Sequence, residues 1–527
     1  MTTTQLLEKQ LKDWKTKYAN FAFAKEAEVE ALNQEICLLK KELVRKDKQI
    51  ESLYHMIQKI DAKVDELTDQ VSELTKENTL LKETIILQNE QIVALKSRIN
   101  KDSDNSSKPS STNFFKKPIQ NNREKTGRKP GGQIGHKGSS LKQFNDPTEI
   151  IEKSKSHCNC GGEIKYGKDY LAKQLVDIDV RMNIIEERIR NGVCIICGKK
   201  HAGTFSEEFK NPVQYGNNIK SLITLLNNHA CVSINKTTEI LNSITDNQLN
   251  IADSTVVNIQ NALSSNLDIT VQSIKRQLIE CEVLHADETG CRVNGKVDWI
   301  QVFCNKKFTL CGHNEKRGSV AIEDMDILKY FIGILVHDHF SSYYKDNLFT
   351  HSECNAHILR YLKNIIETFK HGWAREMIDL LTTILQMKKE HVALGKSSFT
   401  TEELTKLSNA YDNILANGQA EYENSILGKK HIKYYNDERL LLKRLLEFKD
   451  EHLLFATNFV APFDNNQAER DIRPFKTKMK VSGCFRSKTS IKSFVKIYSV
   501  ISTLKKHEMN IYKNIRNVFN GKDLVFS

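Results

Sequence analysis

Val29, Ile36, Leu43, Ile50, Ile57, Val64, Val71, Asn78, Ile85, Ile92 and Ile99 recur every seven residues. A second row, Leu32, Leu39, Lys46, Leu53, Ile60, Leu67, Leu74, Leu81, Gln88 and Leu95, runs beside them. A period of 3.5 held this long winds helices around one another, whereas a single surface helix keeps to 3.6. β-Branched residues in one row and leucine in the other favour two parallel strands, and the polar Asn78 fixes register and partner number. Residues 1–100 are therefore expected to form a parallel coiled-coil homodimer. The 71 residues from Val29 to Ile99 (99 − 29 + 1) make a rod of about 105 Å at about 1.5 Å per residue. The alternative is a long helix folded back on the body.

The remainder of a 527-residue chain has room for several cores, so a multidomain α+β protein is expected. The net charge of +12 is concentrated. Residues 101–140 carry nine Lys/Arg against three acids, and residues 470–488 carry seven against Asp471 alone. Clustered positive charge favours phosphate backbones as partners, a solvated basic face being the alternative. Twelve scattered cysteines and an N-terminus without basic and apolar signal regions point to a reducing cytoplasm without disulfides. The longest uncharged apolar run, near Tyr330–Val336, falls far short of the ~20 residues that span a bilayer.

Residues 101–147 are rich in Ser, Asn, Lys, Gly and Pro and read as a basic flexible linker. Within it, Thr126-Gly-Arg-Lys-Pro-Gly-Gly-Gln-Ile-Gly-His-Lys-Gly138 stays extended, and Arg128, Lys129 and Lys137 can reach phosphates or a minor groove, or merely solvate a spacer. Residues 148–212 hold two cysteine groups, and 213–280 read as a helical bundle for DNA binding, with helices at 217–230, 233–244 and 254–279. From Cys281 the pattern changes to strands at 281–287, 297–304 and 307–312, then a helical stretch and a strand ending at Asp338. That order is expected of a ribonuclease H-like α/β domain, its first part at 281–355 and its last at 461–527, split by a helical insertion at 356–460.

Asp287 and Asp338 each close an apolar run, and Glu469 sits in Asp464-Asn-Asn-Gln-Ala-Glu-Arg-Asp-Ile-Arg-Pro, which reads as a capped helix start. Each alone is an ordinary cap or surface acid. Together, two strand-end carboxylates and one from a helix can hold two Mg²⁺ ions, the arrangement that activates an attacking oxygen and stabilises a leaving one in phosphodiester chemistry. Arg470, Arg473, Lys476, Lys478, Lys480 and Arg486 surround Glu469, and beside such a site they are expected to clamp phosphates.

Four stretches carry a family resemblance: Arg128-Lys-Pro-Gly-Gly-Gln-Ile-Gly-His-Lys-Gly, His285-Ala-Asp-Glu-Thr-Gly, Asp464-Asn-Asn-Gln-Ala-Glu-Arg-Asp-Ile-Arg-Pro-Phe-Lys and Lys480-Val-Ser-Gly-Cys-Phe-Arg-Ser. They resemble bacterial insertion-sequence transposases of the insertion sequence sixty-six type, with a DDE, ribonuclease H-like domain. The resemblance implies that Asp287, Asp338 and Glu469 are the catalytic triad. It further implies double-stranded DNA partners (element ends and target), helper proteins of the same element, and a place at the nucleoid. The alternatives are a ribonuclease H-like nuclease without joining activity, or a non-catalytic coiled-coil DNA-binding protein.

Cys194-Ile-Ile-Cys197-Gly is a zinc knuckle by its spacing. Its counterpart, His157-Cys158-Asn-Cys160-Gly-Gly, resembles the family's Cys-x-x-Cys-Gly-Gly with His157 where the first cysteine belongs, so His157, Cys158, Cys160 and His201 compete for the remaining positions. Zinc is expected, with a redox pair or a degenerate site as alternatives. Cys354-Asn-Ala-His357 looks like the family's Cys-x-x-His segment, and with no second pair nearby in sequence it reads as structural rather than as a zinc site.

Overall fold

The heptad segment is helical where it is described: α1 runs Val64–Asn100 without a break. The structure, a computed structural model, describes residues 64–100, 141–345, 348–427 and 436–526, with isolated positions among residues 6–45. Most heptads before Val64, and the linker with Arg128, Lys129 and Lys137, lie outside the described residues. Two compact units are distinguished: one holds 64–100, 217–233 and 257–526 of the described residues, the other 141–216 and 234–256. No described helix is long and apolar enough to cross a membrane.

In the smaller unit, β1 (Asn191–Val193) and β2 (Lys200–Ala202) form an antiparallel hairpin. Most of residues 141–213 is irregular and exposed.

In the larger unit, α2 (Asn217–Thr224) passes into a π-helical turn at Leu225–His229, whereas α3 (Ile234–Ser243) lies in the smaller unit. The single helix expected over 254–279 is two, α4 (Asp253–Asn266) and α5 (Asp268–Ile279), interrupted at Leu267. The stretches expected to form one bundle are thus divided between units. Gln260 Nε2 of α4 donates to Asn227 Oδ1 at 2.5 Å and Asn228 Oδ1 at 3.1 Å, fixing the π-helical turn to the larger body.

Five strands follow: β3 (Val283–Val293), β4 (Lys296–Cys304), β5 (Thr309–Asn314), β6 (Ile334–His337) and β7 (Thr350–Glu353), with α6 (Ser319–Met325) between β5 and β6. Their order is β5-β4-β3-β6-β7. The first three are antiparallel; β6 and β7 run parallel to β3 and to each other. Gly333 enters β6 so closely beneath the chain that a Cβ would stand 2.5 Å from the Glu282 carbonyl, which only glycine tolerates.

Among the described residues five helices make the insertion: α7 (Asn355–Phe369), α8 (Trp373–Ala393), α9 (Thr401–Ile426), α10 (Asn436–Glu447) and α11 (Lys449–Thr457). They close around their own core of Trp373, Met377, Tyr411, Leu445 and Phe455. Glu438 is buried there by accepting from Trp373 Nε1 at 2.7 Å, the pairing a buried carboxylate requires. The chain returns through α12 (Asn466–Ser482), α13 (Lys488–Lys506) and α14 (Ile511–Phe519). Ala468, Ile472 and Phe475 of α12 pack on Ile300 and Val302 of β4, and Ile497, Val500 and Ile501 of α13 join Leu284, Phe303 and Leu310. This clamps the insertion's exit to the sheet.

Candidate active site

The parallel pairing of β3 with β6 matches Val283 to Ile334, Leu284 to Leu335 and His285 to Val336, a constant offset of 51 (334 − 283). The same offset separates Asp287 from Asp338 (338 − 287), so the register, continued two residues past its last pair at His285–Val336, brings the two residues opposite each other. Asp338 follows β6 directly, as an end residue. Asp287 does not end its strand: β3 continues six residues further because Thr289, Cys291 and Val293 alternate inward and pair with β4. Burial, reinforced by the like charges of Asp338, Glu469 and Glu288, pushes the Asp287 carboxyl up to about 8. Burial likewise raises Asp338, with Arg444 and Arg317 pulling the other way.

Glu469 lies in the first turn of α12. What fixes that turn is Asn465, only 1% exposed. Instead of capping the helix, its side chain reaches the sheet: Nδ2 donates to the Ala286 carbonyl at 2.7 Å and Oδ1 meets His285 Nδ1 at 3.0 Å. Its backbone N–H donates to Cys354 Sγ at 3.1 Å. One residue therefore ties the helix of Glu469 to the strand of Asp287 and to the head of α7. Burial holds His285 down at about 4, so the imidazole is neutral.

The three carboxylates are electrostatic neighbours but do not converge to within 4.8 Å of one another. Among the described residues the only such group of possible ligands is Cys354, His357 and Glu469. The Cys354-x-x-His357 segment thus acquires a partner that its sequence surroundings lack. Cys354 is fully buried, its thiol pushed up to about 12 by burial, and it already accepts from Asn465. Glu469 is held by Arg360 Nη2 of α7 at 3.1 Å, with His357 Nε2 and Arg473 Nη2 each at 3.9 Å. A set of hard oxygen donors whose own repulsion opposes ionisation of Asp287 suits a hard divalent cation, and Glu288 Oε2 is a further buried oxygen without a hydrogen-bond partner.

Around this centre lie charged residues that the sequence patterns did not single out. Arg317 pairs with Glu288 at 2.6 Å and stacks over Trp299 and Phe340. Behind Asp338, the fully buried Glu353 accepts from Arg444 Nε of the insertion at 2.9 Å and from His339 and Tyr344. Burial opposes its ionisation, but His339 and Arg444 outweigh that and hold it well below the usual carboxylate range.

Of the expected DNA-facing bases, Arg470, Arg473, Lys480 and Arg486 are exposed and Lys476 half-buried. Lys478 is not available to DNA: it is buried, and its ammonium donates to the carbonyls of Asn227 at 3.1 Å and Val232 at 2.7 Å. It falls on the apolar face of α12, three residues after Phe475. In the smaller unit, Gly198 N–H closes the Cys194 turn at 2.8 Å and Gly161 N–H the Cys158 turn at 2.9 Å. Backbone hydrogen bonds lower the Cys194 and Cys160 thiols. No three ligand atoms of His157, Cys158, Cys160, Cys194, Cys197 and His201 come within 4.8 Å of one another.

A family model described as Transposase IS66 family matches residues 212–493, which is 282 residues (493 − 212 + 1), over half of the chain. The chain belongs to the IS66 transposase family. The IS66 match includes Asp287, Asp338, Glu469 and their partners Asn465, Arg360, Glu353 and Arg444. Residues 58–142 match a family of unknown function, DUF6444. No curated protein matches the chain. Two solved structures are similar at 12% identity: the catalytic domain of Mos1 mariner transposase (35% of this chain, 89% of that one, TM-score 0.11) and the Mos1 strand transfer complex (46% and 79%, TM-score 0.10). At those TM-scores neither bears on the fold or the site.

Proposed function

We propose that this IS66 transposase cleaves DNA at the ends of its insertion sequence and joins the freed 3′-hydroxyl to target DNA, using Asp287, Asp338 and Glu469 on a ribonuclease H-like sheet to hold two Mg²⁺ ions. The observation that carries this reading is the shared 51-residue offset, which sets Asp287 level with Asp338 while the charge of Glu469 acts on Asp287. The strand order, three antiparallel and two parallel, supports the sheet type. Bound Mg²⁺ supplies activation of the attacking oxygen and stabilisation of the leaving one. The chain's own contribution is positional: Asn465 holds the Glu469 helix against β3, Arg360 orients Glu469, and the Glu353–Arg444 pair backs Asp338. Arg470, Arg473, Lys476, Lys480 and Arg486 then serve as phosphate clamps.

The remaining segments complete the account. The first hundred residues pair two protomers as a coiled coil, in keeping with Ile85 and Ile92 of one heptad row being 56% and 39% exposed on α1. The linker with Arg128, Lys129 and Lys137, the 148–212 segment and the 213–280 helices contact the element ends. Cys194 and Cys197, with ligands from His157, Cys158 and Cys160, bind Zn²⁺, which would require the two turns to close on each other. The deciding assay incubates the protein with Mg²⁺, end-sequence DNA and a second duplex. Cleaved ends joined to the second duplex support a transposase; cleavage without joining points to a nuclease, and neither reaction to a DNA-binding protein.

A further inference from the structure

A cleft of about 630 Å³ opens where the first residues of β3 and the β4–β5 turn face α8 and the segment entering α12, and none of Asp287, Asp338 and Glu469 lines it. Four lysines do, Lys306, Lys307, Lys388 and Lys389, against the single acid Glu282. Lys306, Lys307 and Lys389 are exposed, and among the described residues none of the four pairs with a carboxylate. Lys388 is half-buried: its ammonium donates to the Ala461 carbonyl at 2.7 Å and lies 5.4 Å above the Phe459 ring. Burial without a counter-ion pulls it down to about 8. Between these cations the wall is apolar, with Val392 52% and Val460 45% exposed beside Phe459.

Unpaired cations around an exposed apolar and aromatic wall recognise a ligand that offers phosphates and flat apolar faces together. Duplex DNA offers its phosphates outward and hides the base faces in the stack, whereas an unpaired strand offers both. We propose that this cleft binds a single-stranded segment of DNA, with bases against Phe459, Val392 and Val460 and phosphates along Lys306, Lys307 and Lys389. The proposal rests on the transposase reading for its substrate class. It gives the insertion a role distinct from backing Asp338: gripping a strand that has left the duplex near the cut.

The test uses the full-length protein without added divalent metal, and fluorescence anisotropy with a labelled oligothymidine of about ten nucleotides, within the usual site size, beside a duplex of end sequence. The K306A/K307A variant removes two exposed side chains and leaves the fold intact. It should lower the slope of log affinity against log salt by about 1.4, at about 0.7 per phosphate contact on a single strand, and weaken single-strand binding at least tenfold while changing duplex binding less. Phe459→Leu keeps a large apolar side chain and loses the ring; it should cost about fivefold or more, the low end of one base–aromatic stack. Unchanged single-strand affinity and slope overturn the proposal, as do equal losses for both DNA forms, or competition by thymidine monophosphate as strong as by the oligomer. An absence of metal-dependent cleavage would remove the transposase reading and leave this binding result standing.

Discussion

Replacing Asn465 with alanine should loosen the joint between the Glu469 helix and the Asp287 strand. Its side chain makes two buried hydrogen bonds, to the Ala286 carbonyl at 2.7 Å and to His285 Nδ1 at 3.0 Å. Alanine leaves both partners unsatisfied, and each buried orphan costs about 1–3 kcal/mol, so the expected loss is about 2–6 kcal/mol. Domain stabilities are about 5–15 kcal/mol, so the variant should still fold. Hydrogen exchange at the β3 amides reads the effect locally: about 3 kcal/mol corresponds to roughly hundredfold faster exchange. Asn465→Asp should do no better, because it swaps the donor facing the Ala286 carbonyl for an acceptor. Exchange in β3 within threefold of the parent, with unaltered DNA cleavage, would refute the reasoning.

Breaking the Glu353–Arg444 pair with Arg444→Leu takes the guanidinium from a fully buried carboxylate that keeps its His339 and Tyr344 hydrogen bonds, and should destabilise the protein in urea unfolding by up to about 3 kcal/mol, below the about 3–5 kcal/mol of a fully orphaned buried charge. Gly418→Ala places a Cβ 2.8 Å from the Trp373 ring and 2.9 Å from Leu442, so about 1–3 kcal/mol should be lost; a neutral or stabilising result would contradict the packing described. Asp287 has a folded-state pKa of about 8 against an ordinary value of 3.8. Its contribution to metal-free stability is therefore full below pH 3.8 and lost as pH rises through about 8. The urea midpoint of metal-free protein should fall over that window, and Asp287→Asn should flatten part of the fall. Mg²⁺ binding, which needs the carboxylate, should tighten over the same interval in calorimetry. Zinc analysis of protein purified without chelator should find about one ion per chain, lost in a Cys194→Ser/Cys197→Ser variant.

Much of the larger unit was legible because strong patterns wrote it. The apolar runs before Asp287 and Asp338 read as strands, and the insertion read as helical from its periodicity. The sequence reading ends the strand at Asp287 because Asp287, Glu288 and Thr289 interrupt the apolar run, whereas the alternation of buried Thr289, Cys291 and Val293 with exposed Gly290 and Arg292 carries it on along β4. β7, Thr350-His-Ser-Glu, has no apolar alternation, so it and the buried charge of Glu353 were invisible; burial there is made possible by Arg444, 91 residues away. Lys478 joined the basic run by proximity in sequence, although its spacing from Ala468, Ile472 and Phe475 places it on the buried stripe. Arg360 and Arg444 left no local sign, since their partners lie in other elements. Asn465 stands within one of the stretches that carry the family resemblance, Asp464-Asn-Asn-Gln-Ala-Glu, yet its role appears only when α12 meets β3.

The central claim, that Asp287, Asp338 and Glu469 together hold the metal ions of strand cleavage, is tested most directly with Asp287→Asn, Asp338→Asn and Glu469→Gln. Each is assayed for Mg²⁺-dependent nicking of end-sequence DNA and, in parallel, for affinity for that DNA. The account predicts that each variant loses nicking by at least a thousandfold, the scale of removing essential transition-state stabilisation, while binding the DNA about as tightly as the parent. Any of the three retaining parental nicking in Mg²⁺ would contradict it.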